Sequence, residues 1–85
     1  MDKYEVKVSK RVIKKIEKLP KKVIPKIYSA IVSLENDPRP SGCKKLKSYD
    51  NFWRIRIGNF RVIYSIEDAI RIVKIRNVAD RKELY

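Results

Sequence analysis

Trp53-Arg54-Ile55-Arg56-Ile57-Gly58-Asn59-Phe60-Arg61-Val62-Ile63-Tyr64 decides the fold, because apolar and basic residues alternate on both sides of a Gly-Asn pair. A two-residue loop at Gly58-Asn59 joins strands of period two, which sets Ile57 against Phe60, Arg56 against Arg61, Ile55 against Val62 and Arg54 against Ile63. Facing residues share a side of the sheet. One side is then Trp53, Ile55, Ile57, Phe60, Val62 and Tyr64, a continuous apolar face, while Arg54, Arg56 and Arg61 converge on the other. Arg56 directly across from Arg61 places like charges in opposition, which costs some fraction of about 1 kcal/mol. Stability does not require such a pair. A solvated basic face is one account of it, and a site for an anion is the other.

Working outward, Tyr4-Glu5-Val6-Lys7-Val8 alternates as a first strand with Tyr4, Val6 and Val8 inward. Ser9 offers an N-cap, and Val12, Ile13, Ile16 and Leu19 recur at helical spacing, so residues 10 to 19 form an amphipathic helix that ends at Pro20. A second helix carries Ile24, Ile27, Ile31 and Leu34 on its inner face, with Pro25 confined to the first turn. Asn36-Asp37-Pro38-Arg39-Pro40-Ser41-Gly42 breaks it and leads to a short segment around Leu46. Beyond the hairpin, Ile66-Glu67-Asp68-Ala69 reads as a second tight turn, Ile70 to Arg76 as a strand and Asn77 to Tyr85 as a tail. The expected fold is α+β in the order βααβββ: two N-terminal helices on one face of a mostly antiparallel, twisted sheet, with residues 1–85 as one domain. The opposite sheet face, with Arg54, Arg56 and Arg61, is expected to be open to solvent.

The chain has 85 residues, 44% hydrophobic and 38% charged, which is the composition of a small globular domain with a thin core. Its apolar runs extend only a few residues, and Met1-Asp2-Lys3-Tyr4-Glu5 lacks the apolar block of a signal peptide. The single Cys43 forms no internal disulfide and suits a reducing compartment, so a cytoplasmic location is expected. With 22 Lys+Arg against 10 Asp+Glu, the net charge of +12 attracts polyanions. Nucleic acid, an acidic protein or an anionic membrane would each answer that field, and part of the lysine excess also suits a heat-adapted host.

There is no histidine, which excludes histidine triads and relays, and a single cysteine leaves only carboxylates to hold a metal. Two glycines make neither a P-loop nor a dinucleotide fingerprint. Any chemistry is therefore expected to be free of metal and cofactor. RNA cleavage fits this inventory, because the 2′-hydroxyl supplies the nucleophile and the protein need only orient it, stabilise charge and move protons. Arginine holds phosphate oxygens bidentately but is a poor proton acceptor. Tyr85, beside a basic tail whose guanidinium groups lower a phenol's pKa, is the candidate base; a terminal aromatic packing on the sheet edge is the alternative.

The order Leu19-Pro20, Asp37-Pro38-Arg39-Pro40, the Leu46-Lys47 segment, the Arg-bearing hairpin and a terminal Val78-Ala79-Asp80-Arg81-Lys82-Glu83-Leu84-Tyr85 resembles the RelE/ParE superfamily of toxins from toxin–antitoxin modules. RelE-like members are ribosome-dependent endoribonucleases that cut mRNA in the ribosomal A site; ParE-like members act on DNA gyrase and lack the nuclease residues. The resemblance implies that Arg61 matches the phosphate-binding arginine, Arg54 and Arg56 the two basic positions on the preceding strand, Arg81 the arginine that assists the leaving group, and Tyr85 the general base. Lys45, Lys47, Lys74, Arg76 and Lys82 are further candidates for contact with RNA. The family often has lysine where this chain has Arg54 and Arg56, and histidine or lysine where it has Asp80. An acidic RelB-like antitoxin is implied as partner, with ribosome and mRNA as target and operator DNA bound through the toxin–antitoxin complex. A gyrase inhibitor and a catalytically weak RNA-binding toxin are the alternatives.

Overall fold

The computed structural model describes residues 3–47 and 51–80. Strand β1 (Glu5–Val8) leads into helices α1 (Lys10–Glu17) and α2 (Ile24–Ser33), followed by β2 (Lys44–Lys45), β3 (Phe52–Ile57), β4 (Phe60–Glu67) and β5 (Ile72–Asp80). The five strands form one sheet in the order β1-β5-β4-β3-β2, antiparallel except where β1 lies parallel to β5. This is the expected α+β architecture, with β2 as an additional edge strand.

Local chemistry accounts for the helices. The Ser9 hydroxyl caps α1 by accepting from the Val12 backbone N–H at 3.3 Å, and Val12 and Ile16 turn inward. Pro25 lies in the first turn of α2, where its missing N–H leaves no helical bond unmade. Ile27, Ile31 and Leu34 then bury themselves against Ile55, Val62, Tyr64, Ile66, Val73, Ile75 and Val78 of the sheet, with Trp53, Ile57 and Phe60 packed at the margin. At about 25 cal/mol per Å² this single apolar layer is the main source of stability. Among the described residues no helix is long and apolar enough to cross a membrane.

The hairpin follows the alternation residue for residue: Ile57 pairs with Phe60, Arg56 with Arg61, Ile55 with Val62 and Arg54 with Ile63. Gly58 takes φ +59 while Asn59 stays out of the positive-φ region, the φ pattern of a type II′ turn. Farther on the register departs from expectation. Ile66 is fully buried in β4 rather than at a turn, and the reversal falls at residues 68–71, where Arg71 adopts φ 53. Strand β5 also begins at Ile72 rather than Ile70 and continues through Asn77–Asp80, where the sequence alone predicts a tail. The cause is pairing: Val78 and Ala79 lie against Val62 and Arg61, so the edge of β4 is covered for its whole length. A bulge between Ile63 and Tyr64 resets the register midway and leaves Arg76 without an opposite residue.

A polar clasp closes one end. Arg39 donates to both oxygens of Asp68, at 3.2 and 2.8 Å, and Tyr4 donates its hydroxyl to Asp68 Oδ1 at 2.7 Å. The Arg39 guanidinium also lies over the Trp53 ring, 5.0 Å from its centroid. Nearby, Tyr64 donates to the Pro38 carbonyl at 2.7 Å, and burial holds this phenol protonated well above its ordinary pKa. Hydrogen bonds from Arg39 and then Tyr4 hold the Asp68 carboxyl down, from 3.8 to about 2. A carboxylate depressed in this way stabilises the fold above its unfolded pKa and loses that contribution as pH falls through the folded one. The gap in melting temperature between wild type and Asp68→Asn should therefore hold steady above about pH 5 and close between about pH 4 and 2. A gap independent of pH across that window would remove the carboxylate's charge from the account.

Candidate functional site

Three arginines share the sheet face opposite the helices. Arg54 and Arg56 stand on β3 and Arg61 on β4, with Arg56 and Arg61 in direct register. The sequence predicts an open face, but the structure closes part of it: Arg61 is only 2% exposed, Arg54 half-buried and Arg56 exposed. The physical reason is the position of β4, which is flanked by β3 on one side and β5 on the other. Farther along β4, at Ser65, long side chains from those neighbours also lie over it. Arg76 of β5 donates from Nε to the Ser65 hydroxyl at 2.9 Å, and its guanidinium lies 5.4 Å from the centroid of Phe52 on β3. Ile63, Ser65 and Ala79 are buried on the same side. The site is thus a graded row of cations, from Arg61 inside to Arg56 outside, and a guanidinium fixed inside a sheet needs little reorganisation to meet an anion.

Beside this row Ser41, Gly42, Lys44, Arg54, Ile55 and Arg56 line an open depression of about 320 Å³. Lys44 pairs across from Arg54, which extends the basic row onto β2. Sequence reasoning named Lys45 and Lys47 instead. Lys45 pairs with Trp53, so alternation directs it to the helix side, away from the arginines. Lys47 follows β2 at an exposed position. The parity of that two-residue strand was the missing signal, and it is set only by pairing with β3.

Lys74 lies on the arginine side of β5, in register with Ser65, with its ammonium 3.4 Å from a Glu67 carboxylate oxygen. Arg76 is anchored as described. Arg81, Lys82 and Tyr85 lie outside the described residues, as does Tyr49. The chain nonetheless leaves β5 at Asp80, opposite Phe60 and one residue beyond the Ala79–Arg61 pair. Chemically the row can bind phosphate oxygens bidentately and offset growing negative charge; a guanidinium is a poor proton acceptor.

Comparison with known proteins agrees with this architecture. Residues 6–85 match the family model described as the ParE toxin of the parDE type II toxin–antitoxin system. A protein of Methanocaldococcus jannaschii named as toxin RelE1 is 36% identical over 86 residues, covering 98% of this chain and 96% of the relative. Among solved structures, the archaeal RelE–RelB complex from Pyrococcus horikoshii OT3 superposes with a TM-score of 0.82 at 31% identity, over 93% of this chain and 96% of that one. The RelB–RelE antitoxin–toxin complex from Methanococcus jannaschii gives 0.75 at 26% identity, over 92% and 93%. The chain belongs to the RelE/ParE superfamily of toxins of type II toxin–antitoxin systems.

Proposed function

We propose that this toxin is a ribosome-dependent endoribonuclease of the RelE type, active on mRNA in the ribosomal A site. In this reading the 2′-hydroxyl attacks the adjacent phosphorus, a 2′,3′-cyclic phosphate forms and the 5′-oxygen leaves. Arg61, Arg56 and Arg54 hold the phosphate and stabilise its added charge, Tyr85 accepts the 2′-hydroxyl proton, and Arg81 steadies the leaving oxygen. The observation that carries the proposal is the Arg56–Arg61 register pair with Arg61 buried: like charges in opposition are unfavourable, and an anion bound beside them would offset that repulsion. No metal or cofactor enters this scheme. Cytoplasmic action follows from the target. An acidic RelB-like antitoxin would neutralise the basic surface, as the relatives' complexes with RelB suggest, and the pair would bind operator DNA through the antitoxin.

The match to the ParE family model favours a second reading, inhibition of DNA gyrase without nuclease chemistry. Purified toxin added to ribosomes programmed with a defined mRNA separates the two. Cleavage within the A-site codon is expected; intact mRNA together with inhibited supercoiling would replace the nuclease reading with the gyrase one.

A further inference from the structure

A second group of cations lies away from the hairpin, where β1 leaves the sheet. β1 pairs with β5 only as far as Val8 opposite Ile75. Just beyond, α1 meets the edge of β5, and Arg11 Nη2 donates to the Arg76 carbonyl at 2.9 Å. The junction opens a groove of about 440 Å³ whose walls include Lys7, Ser9, Arg11, Lys74 and Arg76 and, among the described residues, no carboxylate. Both guanidinium groups are anchored, Arg11 on that carbonyl and Arg76 on the Ser65 hydroxyl at 2.9 Å. Each of these anchors occupies one of the five N–H donors that a guanidinium carries. Lys7 and Lys74 are neighbours across the parallel pair, and Glu67, 3.4 Å from Lys74, offsets part of the charge from outside the groove.

We propose that this groove is a second phosphate-binding site, which holds the RNA backbone a few nucleotides from the bond held by the hairpin arginines. The inference rests on the RNA-directed reading above and adds a contact to the same track. Lys74 is in register with Ser65, and Ser65 with Phe52, so the groove opens on the arginine side of the sheet. Lys74 is level with Phe52, four residues along the strands from the Arg56–Arg61 pair, so with one to three strand spacings across the sheet the groove lies roughly 14–20 Å from that pair. At 3.4 Å rise per nucleotide that distance is roughly four to six nucleotides of stacked strand. An acidic protein segment fits less well. The apolar residues at the groove, Val8 and Ile75, belong to the core, so the walls offer charge without the apolar anchors on which protein partners rely. Backbone binding to RNA needs only cations and counterion release.

The test is equilibrium binding of the free toxin to labelled single-stranded RNAs, one of about 12 nucleotides and one of about three, followed by anisotropy from about 50 to 200 mM salt. Lys7→Gln/Arg11→Gln should weaken binding of the longer RNA about tenfold and lower the slope of log K against log salt by about 1.4, at roughly 0.7 per phosphate contact, and should leave the trinucleotide unaffected. Lys7→Gln alone, at an exposed strand position, should lower the slope by about half as much; it keeps the test valid if loss of Arg11 disturbs the β5 edge. Lys21→Gln/Lys22→Gln removes the same charge at the α1–α2 turn and should change the slope little. An unchanged slope in both Lys7 variants, or an equal loss in the Lys21/Lys22 control, would overturn the site in favour of bulk charge. An oligoglutamate of matched length that binds more tightly than RNA and shows the same tenfold loss would reassign the groove to an acidic protein segment. Because binding is read without cleavage, a failure of A-site cutting with these shifts intact removes the nuclease reading and leaves the groove; the reverse pattern removes the groove alone.

Discussion

Arg61→Ala should lower A-site mRNA cleavage by about 10²–10³-fold, the usual consequence of removing one preorganised donor from a developing anion. Arg61 stands on β4 between Arg56 of β3 and Ala79 of β5 and is 2% exposed. Its guanidinium is therefore positioned by the sheet, whereas in the proposed reaction Arg56, on the exposed side of the row, would be ordered only by the substrate. Arg56→Ala should cost less for that reason. Arg61→Lys keeps the charge but replaces a planar fork with a point donor, and should fall between wild type and alanine. A buried arginine also contributes to folding, so activity has to be compared at equal folded fraction, with thermal melting as the control. Cleavage within a fewfold of wild type for folded Arg61→Ala would remove the phosphate-binding role.

Tyr85→Phe should reduce cleavage by about 10²–10⁴-fold while leaving affinity for the ribosome unchanged, because general base catalysis is commonly worth that much and the aromatic ring is retained. Asp80 ends β5 opposite Phe60, beside the Arg61 row. Arg54, Arg56 and Arg61 are poor proton acceptors, so in the proposed reaction the proton falls to Tyr85. Growth arrest and cleavage that persist in Tyr85→Phe would place the base elsewhere. Cleavage lost together with ribosome affinity would point to a binding role instead.

The Asp68 clasp and the second groove share one property: each joins residues far apart in the chain. Arg39 and Asp68 are 29 positions apart, and Arg11 reaches across 65 to the Arg76 carbonyl. No periodicity or spacing in the sequence announces such contacts. Lys44 was missed for a related reason. Adjacent lysines look alike until a partner strand assigns one to each face, and here Arg54 and Trp53 make that assignment.

The sequence by itself determined the hairpin register, the faces of both helices and the convergence of Arg54, Arg56 and Arg61, because alternation, capping and a Gly-Asn turn are local physics acting over a few residues. It also excluded histidine relays by composition alone. Only the tertiary structure decided how deeply Arg61 is set, how far β5 extends, which lysine joins the arginine row and where the second basic groove opens. Those depend on β5 pairing with both β4 and β1, and pairing between distant strands fixes burial and parity in a way that no single stretch of the chain encodes.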